Sequence, residues 1–161
     1  MQSLSYTSIR LNRCCAVLNG VTKLNLDAKG RLAIPSRYRE RLQEECAGHL
    51  VITLDHERRM VIYPYHEWKK IEDKLTALPS TKPSMKIKRL VLGHASDCDM
   101  DKNGRINLPP YLREKTGLEK QVVLVGIGNK FEVWDEIAWD NVWADEDDDI
   151  DLTEELTSLS L

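Results

Sequence analysis

Residues 24–41 read Leu24-Asn25-Leu26-Asp27-Ala28-Lys29-Gly30-Arg31-Leu32-Ala33-Ile34-Pro35-Ser36-Arg37-Tyr38-Arg39-Glu40-Arg41, and residues 98–115 read Cys98-Asp99-Met100-Asp101-Lys102-Asn103-Gly104-Arg105-Ile106-Asn107-Leu108-Pro109-Pro110-Tyr111-Leu112-Arg113-Glu114-Lys115. At an offset of 74, Asp27 falls on Asp101, Gly30 on Gly104, Arg31 on Arg105, Pro35 on Pro109, Arg39 on Arg113 and Glu40 on Glu114. Further along, Val51-Ile52 matches Val122-Val123 and Trp68 matches Trp139 at an offset of 71. One deletion of three residues between the two blocks reconciles the offsets, so the chain is a duplicated unit.

Each copy has the same coarse plan. Two short apolar stretches, 21–26 and 31–34 in the first copy, flank a turn at 27–30. Gly30 supplies a positive φ there, which predicts a β-hairpin. The second copy carries the stronger turn dipeptide, Asn103-Gly104. Pro35 stops the strand and suits the first turn of a helix, on which Tyr38, Leu42 and Cys46 share a face. A strand, a turn and a strand follow, at 50–54, 55–59 and 60–63 in copy one and at 122–125, 126–130 and 131–134 in copy two. Between the copies, Trp68, Ile71, Leu75 and Leu78 form an amphipathic stripe after Pro64. A second helix is expected over 84–93, with Met85, Ile87, Leu90, Val91 and Leu92 inward and Lys82, Lys86, Lys88 and Arg89 on a basic face. The plan divides the chain into an extension (1–18), a first unit with its helical spacer (19–80), a second unit (81–144) and an acidic tail (145–161).

Charge is distributed unevenly along this plan. The 161 residues hold 23 Lys and Arg against 26 Asp and Glu, a formal charge of −3. From Asp135 onward there is no Lys or Arg and there are eleven acids, so the first 134 residues carry 23 bases against 15 acids, a net of +8. Residues 21–90 alone hold 15 bases against 9 acids, so the basicity sits in the first copy and the spacer. A basic body favours a polyanionic partner such as nucleic acid. The acidic end reads as a solvated tail in which Ile150, Leu152, Leu156 and Leu159 can dock as a short amphipathic helix.

Several chemistries find no support. The longest apolar stretch, 122–125, is far short of the roughly 18 residues a bilayer span needs. Cys14, Cys15, Cys46 and Cys98 show no Cys-x-x-Cys spacing and follow no secretory leader, so a reducing cytoplasm is expected rather than a disulfide framework. Residues 1–18, acid-free with Arg10 and Arg13, faintly resemble a transit peptide and read more simply as a flexible arm. His49, His56, His66 and His94 belong to no catalytic triad pattern, and no phosphate-cradling Gly-rich loop is present. His94 and Cys98 lie four apart, but two ligands do not close a tetrahedral metal site, so a local hydrogen bond is expected of His94. Residues 99–106 imitate the start of a calcium EF-hand loop, yet Pro110 stands where the bidentate Glu belongs and Lys29 replaces a ligand oxygen in copy one. No enzyme, cofactor or metal is expected.

The repeat explains the same residues. Asp27 and Asp101 can accept hydrogen bonds from the backbone of their turns, while Gly30 and Gly104 let the chain reverse. Arg31 and Arg105 then stand at the hairpin ends, able to pair with the Asp or to reach a phosphate or a guanine edge. Lys29 and Lys102 share the tips and suit phosphate contacts. A purely structural Asp–Arg pair is the competing reading, and the competing class is a protein-interaction or calcium-binding module without DNA.

From about Asn19 onward the sequence resembles the MraZ family of bacterial transcriptional regulators. The resemblance rests on 26–32, on Arg89-Leu90-Val91-Leu92-Gly93-His94-Ala95, on 101–105 and on Asn129-Lys130-Phe131-Glu132-Val133-Trp134. It implies an α+β, mainly β fold: two tandem AbrB/SpoVT-like swapped-hairpin units in one pseudo-symmetric double-psi-like barrel with peripheral helices. It further implies a nucleoid-associated cytoplasmic protein that forms a ring homo-oligomer on double-stranded DNA. There it binds direct repeats in the promoter of its own division and cell-wall operon, usually as a repressor. The motif positions carried over are Asp27 and Arg31, then Asp101 and Arg105, with DNA contact ascribed mainly to the first hairpin. One departure stands out: the family starts with a Phe-Arg-Gly-like segment, and Leu18-Asn19-Gly20 replaces it here, so a basic residue is missing at Asn19.

Overall fold

The computed structural model describes residues 17–144, 150 and 153–160. The extension through residue 16 and the acids at 145–149 lie outside the described residues. The chain is α+β and mainly β, with a six-stranded antiparallel sheet in the order β1-β7-β8-β4-β3-β5 and a separate two-stranded ribbon, β2-β6. The strands are β1 (Leu18–Asn25), β2 (Arg31–Ala33), β3 (His49–Leu54), β4 (Met60–Pro64), β5 (Ser96–Asp99), β6 (Arg105–Asn107), β7 (Gln121–Gly128) and β8 (Phe131–Asp135). Helices α1 (Ser36–Cys46), α2 (Tyr65–Thr76), α3 (Lys82–Val91), α4 (Pro110–Thr116), α5 (Glu136–Val142) and α6 (Glu154–Thr157) complete it.

The two copies exchange strands. The sequence predicts that β1 and β2 pair across the turn at 27–30, and the structure corrects this. β1 pairs with β7 of the second copy along all eight of its residues, from Leu18 opposite Gly128 to Asn25 opposite Gln121. β2 pairs with β6, and β5 of the second copy pairs with β3 of the first. The turns are built as expected; only the partners differ. Because β7 must match an eight-residue β1, it runs on to Gly128, and the turn predicted at 126–130 shrinks to Asn129 and Lys130. The three-residue deletion shortens a helix: α1 has 11 residues and α4 has 7, about one turn fewer.

Side-chain alternation sorts the sheet into two cores. Leu50, Ile52, Met60, Ile62, Leu124, Phe131 and Val133 face one side, where they pack with Leu32 and Ile106 of the ribbon and with Tyr38, Leu42 and Leu112 of α1 and α4. Val51, Val61 and Tyr63 face the other side, covered by Trp68 of α2 and Val91 of α3. β3 and β4 are therefore buried on both faces, which is why they read as continuous apolar runs. The fully buried Thr53 hydroxyl donates to the carbonyl of Val91, satisfying one of the orphan acceptors at the α3 C-terminus. α6 begins on a Thr153 cap, but Ile150, Leu156 and Leu159 are exposed, so the tail helix is not docked as expected.

Candidate nucleic-acid interface

The β2–β6 ribbon places both motif arginines on one surface. Arg31 lies opposite Asn107, Leu32 opposite Ile106, and Ala33 opposite Arg105. Period-two alternation then sends Leu32 and Ile106 into the core, at 0% and 1% exposure, and leaves Arg31, Ala33, Arg105 and Asn107 on the outer face. Each strand's motif turn abuts this face, with Lys29 and Lys102 exposed at the tips.

Both turns close by the same bonds. Asp27 Oδ1 accepts from the backbone N–H groups of Lys29 and Arg31, each at 2.9 Å, and Gly30 N–H donates to the Asp27 carbonyl. Asp101 Oδ1 accepts from Asn103 at 2.8 Å and Arg105 at 2.9 Å, and Gly104 N–H donates to the Asp101 carbonyl. Flanked by β5 and β6 and filled with backbone N–H groups, this segment is a turn between strands rather than an EF-hand loop. The arginines differ. Arg31 Nε donates to Asp27 Oδ2 at 2.6 Å, whereas the Arg105 side chain donates no hydrogen bond among the described residues. The structural ion pair is thus present in the first copy, and the guanidinium of the second is uncommitted.

Both turn carboxyls sit below their ordinary value. For Asp27 the chief cause is the Arg31 backbone N–H, with the Arg31 side chain, the Lys29 N–H and the Arg31 charge adding to it. For Asp101 it is the Arg105 backbone N–H, and the charge of Arg31 from the opposite strand also contributes, so the two motifs share one electrostatic site. A depressed carboxyl stabilises the fold above its unfolded pKa and loses that contribution as pH falls through the folded value. Asp27→Asn should therefore lower Tm relative to wild type at pH 6, and the gap should begin to narrow below about pH 4 and close as pH falls through the lowered folded value. Thermal melts of both proteins from pH 6 downward test this, and a gap that stays constant as pH falls below about 4 contradicts it.

A third Asp-x-x-x-Arg turn, which the sequence reading passed over as a plain polar loop, closes β3 and β4. Asp55 Oδ1 accepts from the N–H groups of Glu57 and Arg59, both at 2.9 Å. Here the left-handed fourth position is Arg58, with φ 63°, where the sister turns have Gly30 and Gly104 at 74° and 73°. Arg59 is enclosed: it meets Asp55 at 3.5 Å, Glu132 at 2.8 Å and Glu57, and lies 4.1 Å over the Trp134 ring. The spacing by itself therefore makes a turn. What sets Arg31 and Arg105 apart is the open ribbon face beneath them.

Two further arginines lock the turns across the copies. A Cβ at Gly30 would run into the Arg113 guanidinium of α4, and one at Gly104 into that of Arg39 of α1. Arg39 Nε donates to the Ile34 carbonyl at 2.6 Å, while the buried Arg113 Nε has no partner among the described residues. The repeat had marked Arg39 and Arg113 as equivalent without indicating a role. Near Asn19, Arg37 donates to Thr22 Oγ1 at 2.6 Å and Arg41 to the Val17 carbonyl at 2.9 Å, so α1 brings basic groups to the strand whose own basic residue is missing.

The remaining candidate ligands are occupied locally. His94 Nδ1 lies 2.7 Å from the Leu90 carbonyl, as expected of a local hydrogen bond. Burial pushes the Cys98 thiol up to about 12, keeping it protonated. Among the described residues no three His, Cys, Asp or Glu side chains group as metal ligands, and no helix is long and apolar enough to cross a membrane.

The duplication is matched by a known family. The model of the family described as MraZ protein covers residues 17–89 and again 91–159. The chain belongs to the MraZ family. A relative from Halorhodospira halophila (strain DSM 244 / SL1), named Transcriptional regulator MraZ, is 53% identical over 152 residues, covering 90% of this chain and 100% of its own. Relatives of the same name from Thioalkalivibrio sulfidiphilus (strain HL-EbGR7) and Escherichia coli O127:H6 (strain E2348/69 / EPEC) are 49% and 47% identical, with the same shares covered. These relatives are named for transcriptional regulation, which is no enzyme class, and the two family matches follow the duplication visible in the sequence.

Proposed function

We propose that the protein is a DNA-binding transcriptional regulator that acts on the promoter of its own division and cell-wall operon, usually as a repressor. The observation that carries this reading is the outer face of the β2–β6 ribbon, where the half-buried Arg31 and Arg105 share one side over a buried Leu32–Ile106 floor. A two-stranded antiparallel ribbon fits the DNA major groove, and a guanidinium can bond the O6 and N7 of guanine in a bidentate way. Lys29 and Lys102 at the turn tips suit flanking phosphates. Asp27, Gly30, Asp101 and Gly104 hold the turns that aim these groups. A cytoplasmic, nucleoid-associated location follows from such a partner.

Affinity sets the assembly. A subunit that neutralises two or three phosphates has a log–log salt slope of only about −2 to −3, too weak for stable occupancy alone. A ring homo-oligomer engaging several direct repeats gains about 10² to 10⁴ through effective concentration. Binding should therefore strengthen steeply from one to two to three repeats. Band-shift titrations on DNA from directly upstream of the gene, trimmed to each repeat number, test this; equal affinity on all three contradicts multivalent binding.

A further inference from the structure

A second cationic site lies away from the ribbon face. A cleft of about 730 Å³ opens between the β3–β4 turn, α3 and the end of α4. Arg58, Lys86, Arg89 and Lys115 line it, over the side chains of Leu54 and Leu90. These cations come from both copies of the repeat, and none of the four has a carboxylate partner among the described residues. Glu57, the one acid on the lining, is taken up by Arg59 and His56. Four like charges around one concavity repel each other unless an anion sits among them.

Arg58 sharpens the point. Its turn needs a residue with left-handed backbone, and the two sister turns use glycine there. A side chain at that position adds strain and does nothing to close the turn, but it does carry a guanidinium into the cleft. Lys86 and Arg89, three residues apart on α3, fall on the same helical face opposite it. His94 is held by its bond to Leu90 and stacks on Tyr111 at 6.0 Å, forming a flat wall on the α4 side.

We propose that this cleft is a phosphate-binding site for an oligophosphate chain, whether carried by a free nucleoside polyphosphate or by a DNA backbone. The volume is ample for several phosphoryl groups, and the mix of two guanidiniums and two ammoniums matches their charge and geometry. The site involves different residues from the ribbon, so binding of a free polyphosphate does not rest on the ribbon reading, whereas the DNA-backbone source rests on the DNA-binding function proposed above.

Isothermal titration of the full chain with inorganic tripolyphosphate tests it. Saturable binding is expected, weakened by about tenfold or more in Arg58→Gly and in Arg89→Gln, each of which loses a charge-assisted contact. Arg58→Gly should melt at or above the wild-type temperature, since glycine suits that φ, so weaker binding cannot be ascribed to unfolding. Arg31→Ala should bind tripolyphosphate as wild type does, even if its DNA binding is lost, which separates this site from the ribbon. If tripolyphosphate does not bind but Arg58→Gly reduces the salt slope of DNA binding by about 0.9, the phosphates are those of DNA and the site stands. Unchanged tripolyphosphate affinity and unchanged salt slope in both variants overturn the proposal.

Discussion

Arg31→Ala should cut affinity for a three-repeat operator by about a thousandfold while moving Tm by no more than about 2–4 °C. A bidentate arginine–guanine contact is worth about 1–3 kcal/mol of discrimination, and about 1.4 kcal/mol, in the lower part of that range, already means roughly tenfold in affinity per subunit. Three engaged subunits multiply the loss. The fold loses much less. The Arg31–Asp27 pair has side chains 28% and 33% exposed, and such a pair contributes at most about 1 kcal/mol. In a chain of this size that corresponds to about 2–4 °C. Fluorescence anisotropy beside thermal melts separates the two effects, and a folded Arg31→Ala protein that binds like wild type refutes the ribbon as the DNA face. Arg105→Ala asks a second question. With no side-chain bond to lose, it should leave Tm untouched, so any fall in affinity reports contact by the second copy alone. Equal losses at both positions mean that the whole ribbon face docks, and a loss confined to Arg31 means that the first copy dominates.

The turn chemistry behind this was legible from the sequence, because it is local. Asp27 with Gly30, and Asp101 with Asn103-Gly104, specify the same closed turn whichever strand lies beyond it. That independence also explains the missed pairing. A turn of this kind is indifferent to whether β1 folds back on β2 or crosses to β7, nearly a hundred residues on, and only the match of eight residues along β7 decides. The third turn at Asp55 was hidden for a different reason. Its left-handed position holds Arg58, so the glycine that marks such turns is missing. Arg39 and Arg113 were visible as repeated residues, but each acts on the glycine of the other copy, a relation that exists only after the strands have exchanged.

That cross-copy relation carries the largest expected effect on stability. Gly30→Ala should lower stability by about 2–4 kcal/mol, combining about 1–2 kcal/mol for a side chain at φ 74° with the displacement of the Arg113 guanidinium packed over it. Gly117→Ala supplies the control: its φ is 66°, and nothing lies within 4 Å of an added Cβ, so it should cost the conformational part alone. Arg113→Ala vacates the space above Gly30. In the double variant Gly30→Ala/Arg113→Ala the steric part should vanish, leaving the pair less destabilising than the sum of its members by about 1–2 kcal/mol. Denaturant melts of the four proteins close the cycle. Additivity within about 0.5 kcal/mol would show that Arg113 yields freely and that the two copies are not locked at this point. The mirror cycle at Gly104 and Arg39 should show the stronger coupling, because moving Arg39 also breaks its 2.6 Å bond to the Ile34 carbonyl, at the residue where the first copy leaves the ribbon for α1.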